Sequence, residues 1–416
     1  MKNYFYKCFD CNTKYSSKEI EENFIYLCPK CGKAERNKPL KGVLTIEYNY
    51  IEIKQKYSKE KFLKLTPGEF WSYPFLWPIK KYPDKTILSR LKLNSNPVQH
   101  ILIEGREVLV FDDTRNPTLS YKDRASSLVA VKALELGVQE ISAASTGNAG
   151  SSLAGICARL GIKSHIFVPS AIPEAKRIQI QLFGANIYLV DGSYDDAFDI
   201  CLEISSVKKI YNRNTAYNPL TTEGKKSAAF DMFIQLKGRL PEFIFVPVGD
   251  GVIISGFFKG FYDLKKLGWI KKYPRLIAVQ AQGSDALVRY IKTGTFKFRN
   301  ATTIADSISA SAPRNLFMAA DVIKKSNGFA VAVTDSEILE AQRIISTKSG
   351  ILIEPSCAAS YAGYLKMLKS GSIPERSKVM LMLTGNGLKD TSAMIKWNSK
   401  PEIYSFEQLR KLFRMK

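Results

Sequence analysis

Between about residue 100 and residue 390 the chain repeats one unit: a short, wholly apolar run, a turn of small or polar residues, then a longer amphipathic segment. "EISAAS" (140–145) leads into "NAGSSLAGICARLG" (148–161), "SHIFVP" into "PEAKRIQIQLFG", and "ANIYLVDG" into "SYDDAFDICLEISS". Further on, "FIFVPV" precedes "ISGFFKGFYDLKKLG", and "RLIAVQA" and "KVMLMLTGNG" continue the series. A strand apolar at every position needs cover on both faces, and strands joined through helices lie parallel. The chain therefore reads as α/β, with mainly parallel sheets clothed by helices on both sides. Local signals agree. Gly161 suits a helix C-terminus, and Ser193 with Asp196 has the form of a capping box. The aromatic and proline-rich stretch from about 45 to 85 reads as a packed, irregular connection.

Composition removes several function classes. The net charge is +22, but the basic residues are mostly lysines interspersed with acids, so no nucleic-acid partner is expected. No apolar run is long enough to span a bilayer, and "MKNYFYKCFDC" lacks the apolar core of a secretory signal. A cytoplasmic protein with no membrane partner is the expectation. Only two histidines occur, His100 and His165, both in strand-like stretches. Zinc hydrolases and Ser-His-Asp enzymes need histidines in designated roles. Proton transfer in this chain must rest on another residue type.

Four of the seven cysteines stand at the front as two C-x2-C knuckles, Cys8 with Cys11 and Cys28 with Cys31. That spacing describes a four-thiolate, structural zinc ribbon. Gly32 allows the second knuckle its turn, and Asn12 tolerates the same backbone in the first. Cys157, Cys201 and Cys357 read as core cysteines.

Three strand-to-helix loops carry chemistry, because ligands in open α/β sheets sit beyond the carboxyl ends of the strands. The first is Ser145-Thr146-Gly147-Asn148, whose small residues let backbone amides close on a carboxylate. The second is Gly249-Asp250-Gly251 followed by Val252 and Ile253, whose amides suit a phosphate. The third ends at Thr384. A fourth element, "NPTLSYKDR", places Lys122 near a helix start, where the macrodipole disfavours an ammonium and favours a neutral amine.

Taken together these segments resemble fold-type-II pyridoxal-phosphate enzymes of the tryptophan synthase beta superfamily, specifically threonine synthase and its close relatives. "NPTLSYKDR" is similar to N-P-T-G-S-F-K-D-R, "STGN" to the loop that holds the substrate carboxylate, and "PVGDGVI" to the phosphate cradle. "EPSCAASYAG" and "LTGNGLKD" are family segments too. The resemblance implies two open, twisted, mainly parallel sheets, a zinc ribbon over 1–42, a large cofactor-binding domain over 43–117 and 215–416, and a small α/β domain over 118–214. It implies that Lys122 forms the Schiff base with pyridoxal 5′-phosphate and is the catalytic base. Asn148 would meet the cofactor's 3′-oxygen, residues 249–253 its phosphate and Thr384 its ring nitrogen. The implied reaction turns O-phospho-L-homoserine and water into L-threonine and phosphate. The alternative is β-elimination or β-replacement on another amino acid, such as serine, threonine, diaminopropionate or an O-activated serine. A homodimer is implied as well.

The sequence departs from the family pattern at Leu119, in place of glycine, and at Tyr121, in place of phenylalanine; both are expected to reshape the pocket. Asp250 should turn away from a phosphate. Arg124, Lys176, Arg177, Lys225 and Arg314 are the cations available to a leaving phosphate.

Overall fold

The computed structural model describes residues 4–145, 147–395 and 401–415. An N-terminal antiparallel sheet is formed by β1 (Tyr4–Cys8), β2 (Lys14–Ser16) and β3 (Leu44–Tyr48), in the order β2-β1-β3. The hairpin β4 (Val98–Ile103) and β5 (Arg106–Asp112) comes next. It is followed by β6 (Glu140–Ala144), β7 (Lys163–Pro169), β8 (Asn186–Val190) and β9 (Tyr211–Asn212), which pair as a four-stranded sheet in the order β8-β7-β6-β9. β10 (Phe243–Pro247), β11 (Arg275–Ala281), β12 (Phe329–Val333) and β13 (Val379–Leu383) join the hairpin in a six-stranded sheet, β12-β11-β10-β13-β5-β4.

Within the two larger sheets every pairing is parallel except β4 with β5. That exception follows from its connection. Glu104 and Gly105 both have positive φ, 50° and 76°, which gives the tight two-residue loop that matches the twist of antiparallel strands.

The unbroken apolar strands are explained by what covers them. β10 and β13 are buried at every position, and their side chains alternate between two layers. Ile244, Val246, Met380 and Met382 share a layer with Phe257 and Phe261 of the Val252–Lys266 helix. Phe245, Leu381 and Leu383 share the opposite layer with Cys357, Ala358 and Tyr361 of the Pro355–Lys369 helix. β8 departs from this pattern. It is an edge strand, so Tyr188 and Leu189 reach solvent.

Ser193 and Asp196 form the reciprocal cap expected of them, and Gly161 takes the left-handed conformation, φ 70°, that ends its helix. The aromatic segment is less irregular than its prolines suggest. Phe70 stacks on Trp77 at 4.1 Å between ring centroids, and the Trp77 indole N–H donates to the Phe70 carbonyl at 2.8 Å. Among the described residues, no helix is long and apolar enough to cross a membrane.

Candidate active site

The parallel strands of both sheets run so that their carboxyl ends meet at one cleft. Lys122, Ser145, Asn148, residues 249–253 and Thr384 all line it. Gly147 does not line it, and Thr146 lies outside the described residues.

Lys122 begins the Lys122–Glu135 helix, following the turn that leaves β5. The turn is held against the end of β13: the Tyr121 amide donates to the Thr384 carbonyl at 2.9 Å, and the Asn386 amide to the Leu119 carbonyl at 3.0 Å. Among the described residues the Lys122 amine has no hydrogen bond or ion pair. Desolvation pulls its pKa below the ordinary lysine range, aided by Arg213 and opposed by Glu354, Asp250 and Cys357. The neutral amine expected from its helix position is thus favoured chiefly by burial.

Leu119 has φ +65°. This is the left-handed conformation that glycine adopts freely and a leucine only under strain, so the family's glycine at this place has a physical reason. Neither Leu119 nor Tyr121 lines the cleft, contrary to the expectation that they reshape it. Tyr121 points behind it, where its hydroxyl donates to the Lys225 carbonyl at 2.8 Å. Leu119→Gly is therefore expected to stabilise the protein, with a net gain of up to about 1 kcal/mol after the lost side-chain contacts. The urea midpoint checks this. Leu119→Ala, which keeps the strain, should show no gain.

At the end of β6 the Ser145 hydroxyl accepts the amides of Gly147 and Gly150 at 2.9 and 2.8 Å, curling the loop around its oxygen. Gly147 has φ +138°, and a Cβ there would lie 2.2 Å from the Lys176 side chain. Only glycine lets the loop lie on that lysine. Asn148 donates through Nδ2 to Ser307 and to both oxygens of Glu354, each at 2.9 Å, while its buried Oδ1 has no partner among the described residues.

After β10 the backbone comes close to its neighbours. A Cβ on Gly249 would sit 2.8 Å from Ile308 Cα, and one on Gly251, φ +84°, 2.8 Å from Ala319 Cβ. The Val252–Lys266 helix then begins, and its first-turn amides have no partner within the helix. Asp250 itself lines the cleft. Its carboxylate accepts the Arg314 amide and the Tyr194 hydroxyl, each at 3.1 Å, and burial pushes its pKa up.

Thr384 sits 3.4 Å from Cys357 Sγ, which also accepts the amides of Thr384 and Gly385 at 3.1 and 2.9 Å. Cys357 is buried as core cysteines are, but it also holds the loop that presents Thr384.

Sequence reasoning passed over one network. Glu354 is buried on the cleft wall. Burial alone would raise its pKa, but Lys176, the hydrogen bonds from Ser356 and Asn148, and Lys122 together bring it below the usual carboxylate range. Lys176 is buried too, and its ammonium bonds both oxygens of Asp306 at 2.8 and 2.7 Å. The only sequence signal was "EPSCAAS" itself, which gives no hint that its glutamate faces the cleft. The other cations are mostly committed. Arg124 lies between Asp113 and Asp231, Arg314 pairs with Asp195, and Arg177 lies near Glu174 at the surface.

The four N-terminal cysteines converge away from the cleft. Their sulfurs all lie within 4.8 Å of one another, with Cys8 to Cys31 at 3.5 Å and Cys11 to Cys28 at 3.6 Å. Sulfurs about 2.3 Å from a central tetrahedral ion lie about 3.8 Å apart; a disulfide would need about 2.0 Å. The cluster suits a metal and not a bridge.

Comparison with known proteins places this geometry. Residues 96–385 match the family model described as pyridoxal-phosphate dependent enzyme. The threonine synthase of Methanocaldococcus jannaschii is 35% identical over 404 residues, covering 95% of each chain. That of Methanosarcina acetivorans is 33% identical over 404 residues, covering 96% of each. Among solved structures, maize serine racemase superposes with a TM-score of 0.62 at 17% identity, over 81% of this chain and 96% of that one. This last likeness shows the fold. Family model, relatives and fold agree: the chain belongs to the pyridoxal-phosphate-dependent enzyme family, as a lyase of its threonine synthase-like group.

Proposed function

We propose that the protein converts O-phospho-L-homoserine and water into L-threonine and inorganic phosphate. The observation that carries this reading is likeness to threonine synthases over 95% of the chain. The cleft supports it. Four of its groups line one cleft where four parts of pyridoxal phosphate would meet them: the Lys122 amine for the aldehyde, the 249–253 amides for the phosphate, Asn148, on releasing its Nδ2 bonds to Glu354 and Ser307, for the 3′-oxygen, and the Thr384 hydroxyl, on leaving Cys357, for the ring nitrogen. When bound, the cofactor supplies a ring that withdraws charge from the substrate's Cα–H bond.

The chain's own residues do the remainder. Lys122, drawn toward its neutral form, is the base assigned to the Cα proton, a role neither histidine is placed to fill. Thr384 offers an uncharged partner to the ring nitrogen, which leaves that nitrogen largely unprotonated. The loop Ser145–Asn148, with Thr146, would receive the substrate carboxylate on its amides and hydroxyls. On the substrate the atoms balance when protons leave Cα and Cβ, the Cγ–O bond breaks with loss of phosphate, water oxygen adds at Cβ, and protons return to Cα and Cγ.

Cys8, Cys11, Cys28 and Cys31 would hold a structural zinc, since four thiolates leave no position for substrate. Elemental analysis is expected to find about one zinc per chain. Cys28→Ser should lose most of it and lower the melting temperature.

Quantifying phosphate and threonine in one tube tests the reaction. Equal amounts, formed from O-phospho-L-homoserine, are the expected result. Phosphate without threonine, or neither product from protein that holds its cofactor, would overturn this assignment in favour of an elimination or replacement on another amino acid.

A further inference from the structure

Two basic side chains near the cleft form no ion pair among the described residues. Lys225 is fully buried and lines the cleft, and its ammonium makes one hydrogen bond, 3.0 Å to the Thr221 carbonyl. Arg213 is fully buried at the carboxyl end of β9. One of its terminal nitrogens donates to the Thr215 hydroxyl at 2.9 Å, and Thr215 lines the cleft. Its Nε and other terminal nitrogen have no partner among the described residues. Neither side chain has a carboxylate within ion-pair distance among those residues. The contrast with the other candidates is sharp, since Arg124, Lys176 and Arg314 are each buried against carboxylates.

The cost of this arrangement is visible. Burial, then the charges of Arg213 and Lys122, push Lys225 well below the ordinary lysine range, and burial lowers Arg213 to about 10. Asp250, the carboxylate that opposes this at Lys225, is already engaged by the Arg314 amide and Tyr194. An unpaired buried charge is strongly disfavoured unless an anion enters. The fold nevertheless fixes these residues in place. Tyr121 bonds the Lys225 carbonyl, a contact the family's phenylalanine cannot make, and Gly256 lets its helix approach to where a Cβ would lie 2.6 Å from Lys225 Cβ.

We propose that Lys225, backed by Arg213, forms a cationic subsite that receives a phosphate group in the cleft. The inference deepens the reading of the cleft given above and rests on it for the identity of the substrate. Two phosphates could supply the dianion, that of the substrate at its Cγ end and that of the cofactor. Either neutralises the pair and restores the full charge of Lys225.

The test is Lys225→Gln, read on the holoenzyme in two titrations. One follows inorganic phosphate by its effect on cofactor absorbance; the other measures the cofactor's own dissociation constant. A phosphate affinity weakened by about tenfold or more, with the cofactor's unchanged, supports the subsite and identifies the substrate's phosphate as its ligand. A cofactor affinity weakened by a similar factor supports it with the cofactor's phosphate as ligand. Both constants within about twofold of wild type, in a variant that melts like wild type, overturn it. Should the variant not fold, the native holoenzyme is crystallised with inorganic phosphate. A phosphate oxygen within hydrogen-bond reach of Lys225 Nζ supports the subsite, and none there overturns it. Neither readout requires threonine to form, so failure of the proposed reaction and failure of the subsite remain distinguishable.

Discussion

Lys122→Ala is expected to lower kcat/KM by at least about 10^3-fold, equivalent to about 4 kcal/mol of transition-state stabilisation, and to leave the fold intact. The two halves of this prediction have one cause. Lys122 lines the cleft with an amine that bonds nothing among the described residues, so removing it costs no hydrogen bond or ion pair there. Its charge is disfavoured by burial, so an apolar replacement relieves a penalty, and the melting temperature of the cofactor-free protein should stay level or rise. Turnover, by contrast, is expected to lose the base and the covalent anchor of the cofactor that are proposed for Lys122. Lys122→Arg should be as inactive, because a guanidinium stays protonated and cannot take up a proton. Three measurements together check this: turnover, melting temperature, and the visible absorbance that survives dialysis. An alanine variant with wild-type turnover would remove Lys122 from the mechanism.

Arg124→Met is expected to do the reverse, destabilising the protein by about 3–5 kcal/mol through loss of structure rather than chemistry. Arg124 is two residues from Lys122, but its guanidinium points into the core. It donates to both oxygens of Asp113 at 2.6 and 2.8 Å, and to Asp231 at 2.6 Å and Ser227 at 2.9 Å. Asp231 in turn accepts the Gly68 amide at 3.0 Å. One side chain therefore ties the loop after β5, the Ser227–Gln235 helix and the aromatic segment together. Methionine fills much of the volume but leaves two buried carboxylates unpaired, which is the costly way to break such a pair. Arg124→Lys should recover only part of the loss, because an ammonium cannot make the planar bidentate contact. Urea midpoints on the three proteins check the order wild type, lysine, methionine. A methionine variant as stable as wild type would show that the triad contributes nothing net.

The contrast between two lysines shows where sequence reading reached and where it stopped. Lys122 was legible because its signal is local. A proline turn, a helix start and a fixed spacing are properties of consecutive residues, and so are the glycines at 249 and 251 and the paired knuckles of the ribbon. Lys225 and Lys176 looked alike in the sequence, two of the lysines available to a leaving phosphate. One meets Asp306 and Glu354, far away in the chain, and the other meets no carboxylate among the described residues. Glu354 was illegible for the same reason, since its partners Asn148 and Lys176 come from the other sheet's loops. The Leu119 substitution was seen, but its meaning was not, because a φ of +65° shows only in the folded backbone.

By itself, then, the sequence determined the alternation that makes parallel sheets, the loops at their carboxyl ends and the four-cysteine ribbon. Hydrophobic periodicity, turn chemistry and ligand spacing all act over a few bonds. The tertiary structure alone decided which charges are neutralised, which way Tyr121 points and which cations stay free at the cleft. Ionic energies depend on distance and burial, and both are set by strands and helices that fold together from opposite ends of the chain.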